Sequence, residues 1–90
     1  MHTGKIRTIV RDPEFEHEMA QLQSSVQRAD EFLEGAETIL SREPESRCRM
    51  EDGSNVWFVS GHTLDIAIYY TFDADHVYFL SARRVKMPEL

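Results

Sequence analysis

The chain has 90 residues, of which 41% are hydrophobic and 29% charged, a length that fits one small globular domain and excludes two packed domains or a repeat array. Its longest apolar run, residues 66–70, is too short to span a membrane, and no apolar signal-peptide stretch follows Met1. Ten Lys+Arg against sixteen Asp+Glu give a formal net charge of −6, which disfavours non-specific binding of nucleic acid. We therefore expect one cytoplasmic domain over residues 1–90.

The first half of the chain predicts a short strand followed by helices. Residues 6–10 are rich in β-branched side chains, and Asp12-Pro13 has the pattern of a helix start, with an N-cap side chain before proline. Apolar residues then recur with an unbroken 4-3 spacing, which only a helix presents on one side. They are Phe15, Met19, Leu22, Val26, Ala29, Leu33, Ala36 and Leu40.

This helical segment has two interpretations. Ser24 and Gln27 have the S-x-x-Q spacing of a capping box, which predicts a second helix beginning near Ser24 and hence a helical hairpin. The unbroken heptad spacing also fits one continuous helix that pairs with a coiled-coil partner. We adopt the hairpin and keep the continuous helix as the alternative.

The second half of the chain predicts four strands. In residues 64–72 large apolar residues alternate with smaller or more polar ones, as a half-buried strand requires. Short turn-forming segments, including Asp73-Ala74-Asp75, separate the strands at 46–51, 56–60, 64–72 and 77–82. The predicted fold class is therefore α+β: an N-terminal strand, a helical hairpin and a four-stranded antiparallel meander with both helices on one face.

Aromatic residues on the predicted sheet indicate a partner. If Phe58 faces the helices, then Trp57 and Val59 lie on the other face with Tyr69 and Tyr78. That face would be uncovered, which is typical of a protein-binding surface. The inverse parity would bury Trp57 and Val59 against the helices instead.

Metal and disulfide chemistry find little support in the sequence. The single cysteine, Cys48, allows no internal disulfide and no cysteine zinc site. His17-Glu18-Met19-Ala20-Gln21 departs from the H-E-x-x-H zinc pattern because Gln21 stands at the second ligand position. We therefore expect no metal and no cofactor.

In the order of its elements the chain resembles the RelE/ParE superfamily of bacterial toxin–antitoxin toxins. The resemblance spans residues 6–85 and is carried by the helical stretch 15–22, by Arg42-Glu43-Pro44 at the end of the second helix, by the strand 64–72 with its tyrosines, and by residues 77–84 as the last strand. It implies a toxin-family protein of a type II, plasmid-stabilisation-like system, which acts on a macromolecular target and is neutralised by an antitoxin. The target that the family implies is the ribosome with its mRNA, or a topoisomerase.

The chain departs from the family at its R-x-x-Y signature. Aligning the signature tyrosine with Tyr70 puts its arginine at Ala67, and aligning it with Tyr69 puts it at Ile66. Neither alignment supplies a cation on this strand. The family's metal-independent, ribosome-dependent mRNA cleavage would therefore need its cation from elsewhere in the chain.

Cleavage of RNA without metal requires acid–base groups and a cation that stabilises the developing phosphorane charge. The candidate catalytic residues are Arg83, Arg84, Arg47, Arg49, His62 and Tyr69, with Glu51 as a further acid–base group. Arg47 and Arg49 would assist Arg83 and Arg84 if their strands are neighbours. Solvated strand ends are the alternative for both arginine clusters.

Two functions follow from the sequence. The first is a RelE/ParE-like toxin held by an antitoxin. The second is a non-catalytic interaction module on the same scaffold, which forms a homodimer through the Trp57 face or through the heptad seam.

Overall fold

The computed structural model of the chain describes residues 5–50, 53–61 and 65–85. In chain order the elements are β1 (Thr8–Arg11), α1 (Pro13–Ser25), α2 (Ala29–Arg42), a 3-10 turn (Pro44–Ser46), β2 (Cys48–Arg49), β3 (Trp57–Ser60), β4 (Ile66–Phe72) and β5 (His76–Arg84). Asp12 caps α1 as predicted, because its carboxylate accepts a hydrogen bond of 2.9 Å from the backbone N–H of Glu14.

One mixed sheet holds the described strands in the order β1-β5-β4-β3-β2. Strands β2 to β5 form the predicted antiparallel meander, and β1 pairs in parallel with the first half of β5. The parallel pair follows from the helices, because a strand that is separated from its neighbour by a helical crossover can run in the same direction as that neighbour. The predicted α+β class is confirmed.

The predicted 4-3 seam of the helices is the core of the molecule. Its residues are buried except Val26, which is partly buried, and they pack against Ile66, Ile68, Tyr70, Val77 and Phe79 of the sheet. Phe15 meets Phe79 edge to face, with ring centroids 5.1 Å apart. The seam is therefore used within the chain and is not available for a coiled-coil partner.

The break between the helices confirms the hairpin, but the predicted capping box is wrong. Ser24 lies in the last turn of α1 and donates its hydroxyl back to the Gln21 carbonyl, so it does not cap α2. Arg28 is the N-cap of α2, in the left-handed conformation (φ 70°), without a side-chain cap hydrogen bond. The Gln23 amide donates to the Asp30 carboxylate at 2.6 Å, which ties the two helices together across the turn.

The strand predicted at 46–51 is shorter than expected. Pro44–Ser46 form a 3-10 turn in which the Ser46 N–H and hydroxyl both bond to the Glu43 carbonyl, and only Cys48–Arg49 pair with β3. Proline fixes φ in the helical range, which favours this turn over an extended start. The Tyr70 hydroxyl donates a buried hydrogen bond of 2.5 Å to the Pro44 carbonyl and so fixes the turn to the sheet.

The side chains of β3 alternate so that Trp57 faces the helices and not the uncovered face of the sheet. Trp57 and Val59 pack against the core, and Trp57 lies opposite the buried Tyr70. Phe58 therefore points to the uncovered face, where it lies across from Tyr69. The prediction that Trp57 and Val59 lie on the uncovered face is wrong, because a one-residue change of parity exchanges the two faces of a strand.

A β-bulge in β5 interrupts the alternation of its side chains. Tyr69 pairs with Ser81 and Tyr70 with Phe79, so Leu80 is the extra residue. Before the bulge the odd-numbered Val77 and Phe79 face the helices; after it the even-numbered Ala82 does. The bulge consequently turns the odd-numbered residues of the strand end toward the uncovered face.

The β4–β5 turn is held by one carboxylate. Asp73 accepts hydrogen bonds of 2.8 Å from the N–H groups of Asp75 and His76 and one of 3.0 Å from the Tyr78 hydroxyl. These bonds favour the charged form and lower the pKa of Asp73 from 3.8 to about 2, while the same contact raises the pKa of Tyr78. The predicted hairpin turn at Asp73-Ala74-Asp75 is confirmed.

Replacement of Tyr70 by Phe tests the bond between the turn and the sheet. Tyr70→Phe leaves the buried Pro44 carbonyl without this donor, and we expect the free energy of unfolding to fall by about 1–3 kcal/mol. Tyr69→Phe, one residue away on the uncovered face, should change it by less than about 0.5 kcal/mol. Urea unfolding of both variants measures the difference, and equal losses would contradict the assignment.

The Asp73 turn predicts a pH-dependent stability. Because folding lowers the pKa of Asp73, its contribution is present above pH 3.8 and is lost as the pH falls through about 2. We expect Asp73→Asn to lower the melting temperature at pH 7, and the difference from wild type to shrink between about pH 4 and pH 2. Thermal unfolding followed by circular dichroism measures it. Asp65→Asn is the control on an exposed carboxylate, and a constant difference at every pH would refute the prediction.

Candidate functional site

The uncovered face of the sheet carries a groove of about 360 Å³. It runs across the face from the residue after β2 and the residue before β3 to the end of β5. Its lining residues are Met50, Val56, Tyr69, Leu80, Ser81 and Arg83. Met50 is 49% exposed, and the rings of Phe58 and Tyr69 lie 6.3 Å apart beside the groove. Apolar side chains thus line a concave surface that the described residues do not cover, and Arg83 supplies a cation at one end.

Two of the predicted catalytic residues, Arg83 and Tyr69, come together at this groove. Tyr69 lies across from Ser81, and the Arg83 Nε donates a hydrogen bond of 3.2 Å to the Ser81 hydroxyl. No described carboxylate forms an ion pair with Arg83, and its side chain is exposed. Its position follows from the bulge at Leu80, which turns it toward the groove.

Glu18 of α1 is part of this site and is half-buried. Strand β1 ends at Arg11, and beyond that point α1 runs along the free edge of β5. There the Glu18 carboxylate accepts hydrogen bonds from the Ser81 hydroxyl at 2.8 Å and from the Ala82 N–H at 3.2 Å. These donors are free to bond to Glu18 because β1 pairs with β5 only as far as Phe79.

Arg84 lies on the other side of the same strand end. Arg84 pairs with Ile66 of the neighbouring strand β4, and Ile66 faces the helices. With Arg83 and Glu18 it lines a second cavity of about 460 Å³, completed by Gln21, Leu22 and Ala82. The two arginines therefore flank one carboxylate, and a hydrogen-bonded chain leads from Arg83 through Ser81 to Glu18.

The second arginine cluster is separate from this site. Strand β2, which contains Arg49, is separated from β5 by β3 and β4, a distance of about 14 Å at the usual strand spacing. Arg49 lies over the Trp57 ring, 5.0 Å from its centroid, and Arg47 is exposed. The prediction that Arg47 and Arg49 assist Arg83 and Arg84 is therefore wrong in its geometry, since it needed neighbouring strands.

The remaining candidates lie elsewhere. Tyr78 is half-buried at the opposite end of β5, where its hydroxyl bonds to Asp73. His62 and Glu51 lie outside the described residues.

The sequence analysis did not predict that Glu18 and Ser81 belong to this site. A signal for Glu18 was its spacing of three and four residues from the buried Phe15 and Leu22, which sets it at the edge of the packed face of α1.

Within residues 5–50, 53–61 and 65–85, no three side chains of His, Cys, Asp or Glu stand close enough to hold a metal ion. In the same ranges, no helix has the length and apolarity needed to cross a membrane.

Comparison with known proteins finds a likeness in structure only. No family model matches the chain, and no curated protein matches it in sequence. Among solved structures, the chain is similar to one of the "Chromosomal ParDE TA system from P. aeruginosa", with a TM-score of 0.72, 6% identity and coverage of 90% of this chain and 98% of that chain. The order of elements that resembled the RelE/ParE superfamily is thus confirmed at the level of the fold: the chain has a RelE/ParE-like fold.

Proposed function

We propose that the chain is a toxin-family protein of a toxin–antitoxin system, which acts on a macromolecular target through the end of β5 and is neutralised by an antitoxin. The fold it shares with a ParDE system protein supports this proposal. The observation that carries it is the pairing of β4 with β5, because this pairing supplies a cation where the family signature lacks one.

In both alignments of the R-x-x-Y signature, an arginine of β5 lies directly across from the missing one. Ala67 pairs with Arg83, and Ile66 pairs with Arg84. Residues paired across a sheet have their Cβ atoms about 4.5–5.5 Å apart, a distance that a guanidinium easily spans. Arg83 is the better placed of the two, because it lies at the groove with Tyr69.

The chemistry of this site fits an anionic group of the target. The exposed Arg83 guanidinium would hold a phosphate or carboxylate, and the Ser81–Glu18 hydrogen bonds would orient it. A ribosome-bound mRNA and a topoisomerase both remain within the proposal. Under the first, Arg83 stabilises the phosphorane charge; under the second, it is a binding residue.

The antitoxin would cover the apolar part of the groove. Met50, Val56, Leu80 and Phe58 present carbon surface that no described segment covers, and burial of such surface drives association. A partner segment on this face would also cover Tyr69 and Arg83. Neutralisation would then be occlusion of the site.

A non-catalytic interaction module is the second candidate function. The observation that favours it is that apolar side chains make up most of the groove, with Arg83 as its single cation among the described lining residues. In this case the groove binds a partner and no reaction follows.

Expression in bacteria under a tight inducible promoter tests the first proposal. We expect the wild-type chain to arrest growth and Arg83→Ala/Arg84→Ala to restore it to about the uninduced rate, because both cations across from the signature position are lost. Both side chains are exposed, so the double variant should reach the same soluble level as the wild type.

The matched control removes the same charge at the other cluster. Arg47→Ala/Arg49→Ala lies on the far side of β3 and β4 from β5, and we expect it to arrest growth as the wild type does. Arrest by all three chains would remove Arg83 and Arg84 from the mechanism. Normal growth with soluble wild-type chain would favour the non-catalytic module.

A further assay in arrested cells distinguishes the two targets. New 5′ ends within mRNA would indicate the ribosomal target, and altered plasmid supercoiling would indicate a topoisomerase.

A further inference from the structure

The outward side of α2 carries a second 4-3-4 seam that the fold does not use. Glu31, Gly35, Thr38 and Arg42 lie on the side of α2 opposite its buried residues. Glu34 and Ile39 flank this seam, and together with its first three members they line a shallow cavity of about 360 Å³. Such a seam is the pattern by which two helices pack at a small crossing angle.

Gly35 in the middle of this seam has no explanation within the described chain. A glycine inside a helix destabilises it relative to alanine, because glycine loses more backbone freedom on folding. A Cβ at Gly35 would meet nothing within 4 Å, so no close packing inside the described chain requires its absence. Because Gly35 has no side chain, it would let another backbone approach α2 closely from outside.

A large apolar side chain lies beside the glycine. Ile39 is 39% exposed, and Phe32, one helical heptad earlier on the same flank, is partly buried. A helix laid along the seam would cover both side chains and bury apolar surface that water now contacts.

The charges on this side of α2 point to a second copy of the chain. Along the outward face they balance locally, with Arg28 and Arg42 at the two ends and Glu31 and Glu34 between them. Within the described chain, Arg42 forms no ion pair, and Glu31 meets only Arg28, in an exposed contact. When two copies of α2 lie antiparallel, the acidic residues of one copy can therefore meet the arginine at the end of the other.

We infer that two copies of the chain associate through α2, antiparallel, about a two-fold axis that passes between Gly35 and Thr38. In this register Gly35 faces the second copy's Thr38, and Glu31 faces the second copy's Arg42. Ile39 lies beside the second copy's Phe32. The two small residues at the centre allow the backbones to approach closely, and the symmetry makes each ion pair occur twice.

This surface differs from the two that the sequence suggested for a homodimer. The heptad seam is buried against the sheet, and Trp57 packs against the core. The inference is also independent of the proposed function, since the α2 face and the groove at the end of β5 share no lining residue. Failure of either proposal leaves the other standing.

Sedimentation equilibrium of the full chain tests the inference by charge reversal. At about 0.15 M salt, where repulsion between the acidic chains is screened, we expect a monomer–dimer equilibrium between about 10 μM and 1 mM. Glu31→Arg or Arg42→Glu alone places like charges together at both symmetric positions and should weaken the dimer at least about tenfold. The double variant restores both pairs and should return to within about threefold of the wild type.

Gly35→Gln tests the close approach separately. The longer side chain separates the backbones and should abolish the dimer, while glutamine's higher helix propensity keeps α2 folded. Ala20→Gln adds the same side chain to an exposed position of α1 and should leave the dimer unchanged. A wild-type chain that stays monomeric up to about 1 mM overturns the inference. So does a dimer that ignores Gly35→Gln, or a charge-reversed double variant that does not recover.

Discussion

The packing of α1 against β5 is the contact on which the rest of the structure depends. Phe15 and Phe79 are fully buried and meet edge to face, and this contact fixes α1 against β5. The first half of β5 pairs with β1, and its second half lies beside α1. Strand β5 thus belongs to the sheet, contacts α1 through Glu18 and lines the groove with its last residues.

The bulge at Leu80 decides what this strand presents. With regular alternation after Phe79, Ser81 and Arg83 would point toward the helices and Ala82 away from them. The extra residue reverses this order, so that a small alanine fits the core and Arg83 reaches the groove. Bulges often re-aim side chains at functional sites in this way. Here the change costs one unpaired position in the middle of a nine-residue strand.

The sequence predicted the features that depend on periodicity within one element. The 4-3 spacing identified the buried side of both helices, and the turn chemistry of Asp73 located the β4–β5 hairpin. Features set by contact between elements escaped prediction. The parity of Trp57 depends on which face the helices cover. The role of Glu18 depends on β1 pairing with β5 only as far as Phe79, so that α1 lies beside Ser81 and Ala82. The Ser24 capping pattern failed because the same hydroxyl also bonds backward to a carbonyl at a helix end.

The missing signature arginine shows why a motif read along one strand can mislead. A reacting or binding group needs a cation at a point in space, and that point lies within reach of side chains from adjacent strands. In this chain Ala67 and Arg83 occupy paired positions, so a small residue on β4 leaves room beside an arginine on β5. Under the proposed function, Arg83 on β5 would supply the cation that the signature places on β4, without the signature's order of residues. Strand pairing, and not the order of residues in β4, is therefore the level at which this site should be compared with other RelE/ParE-like folds.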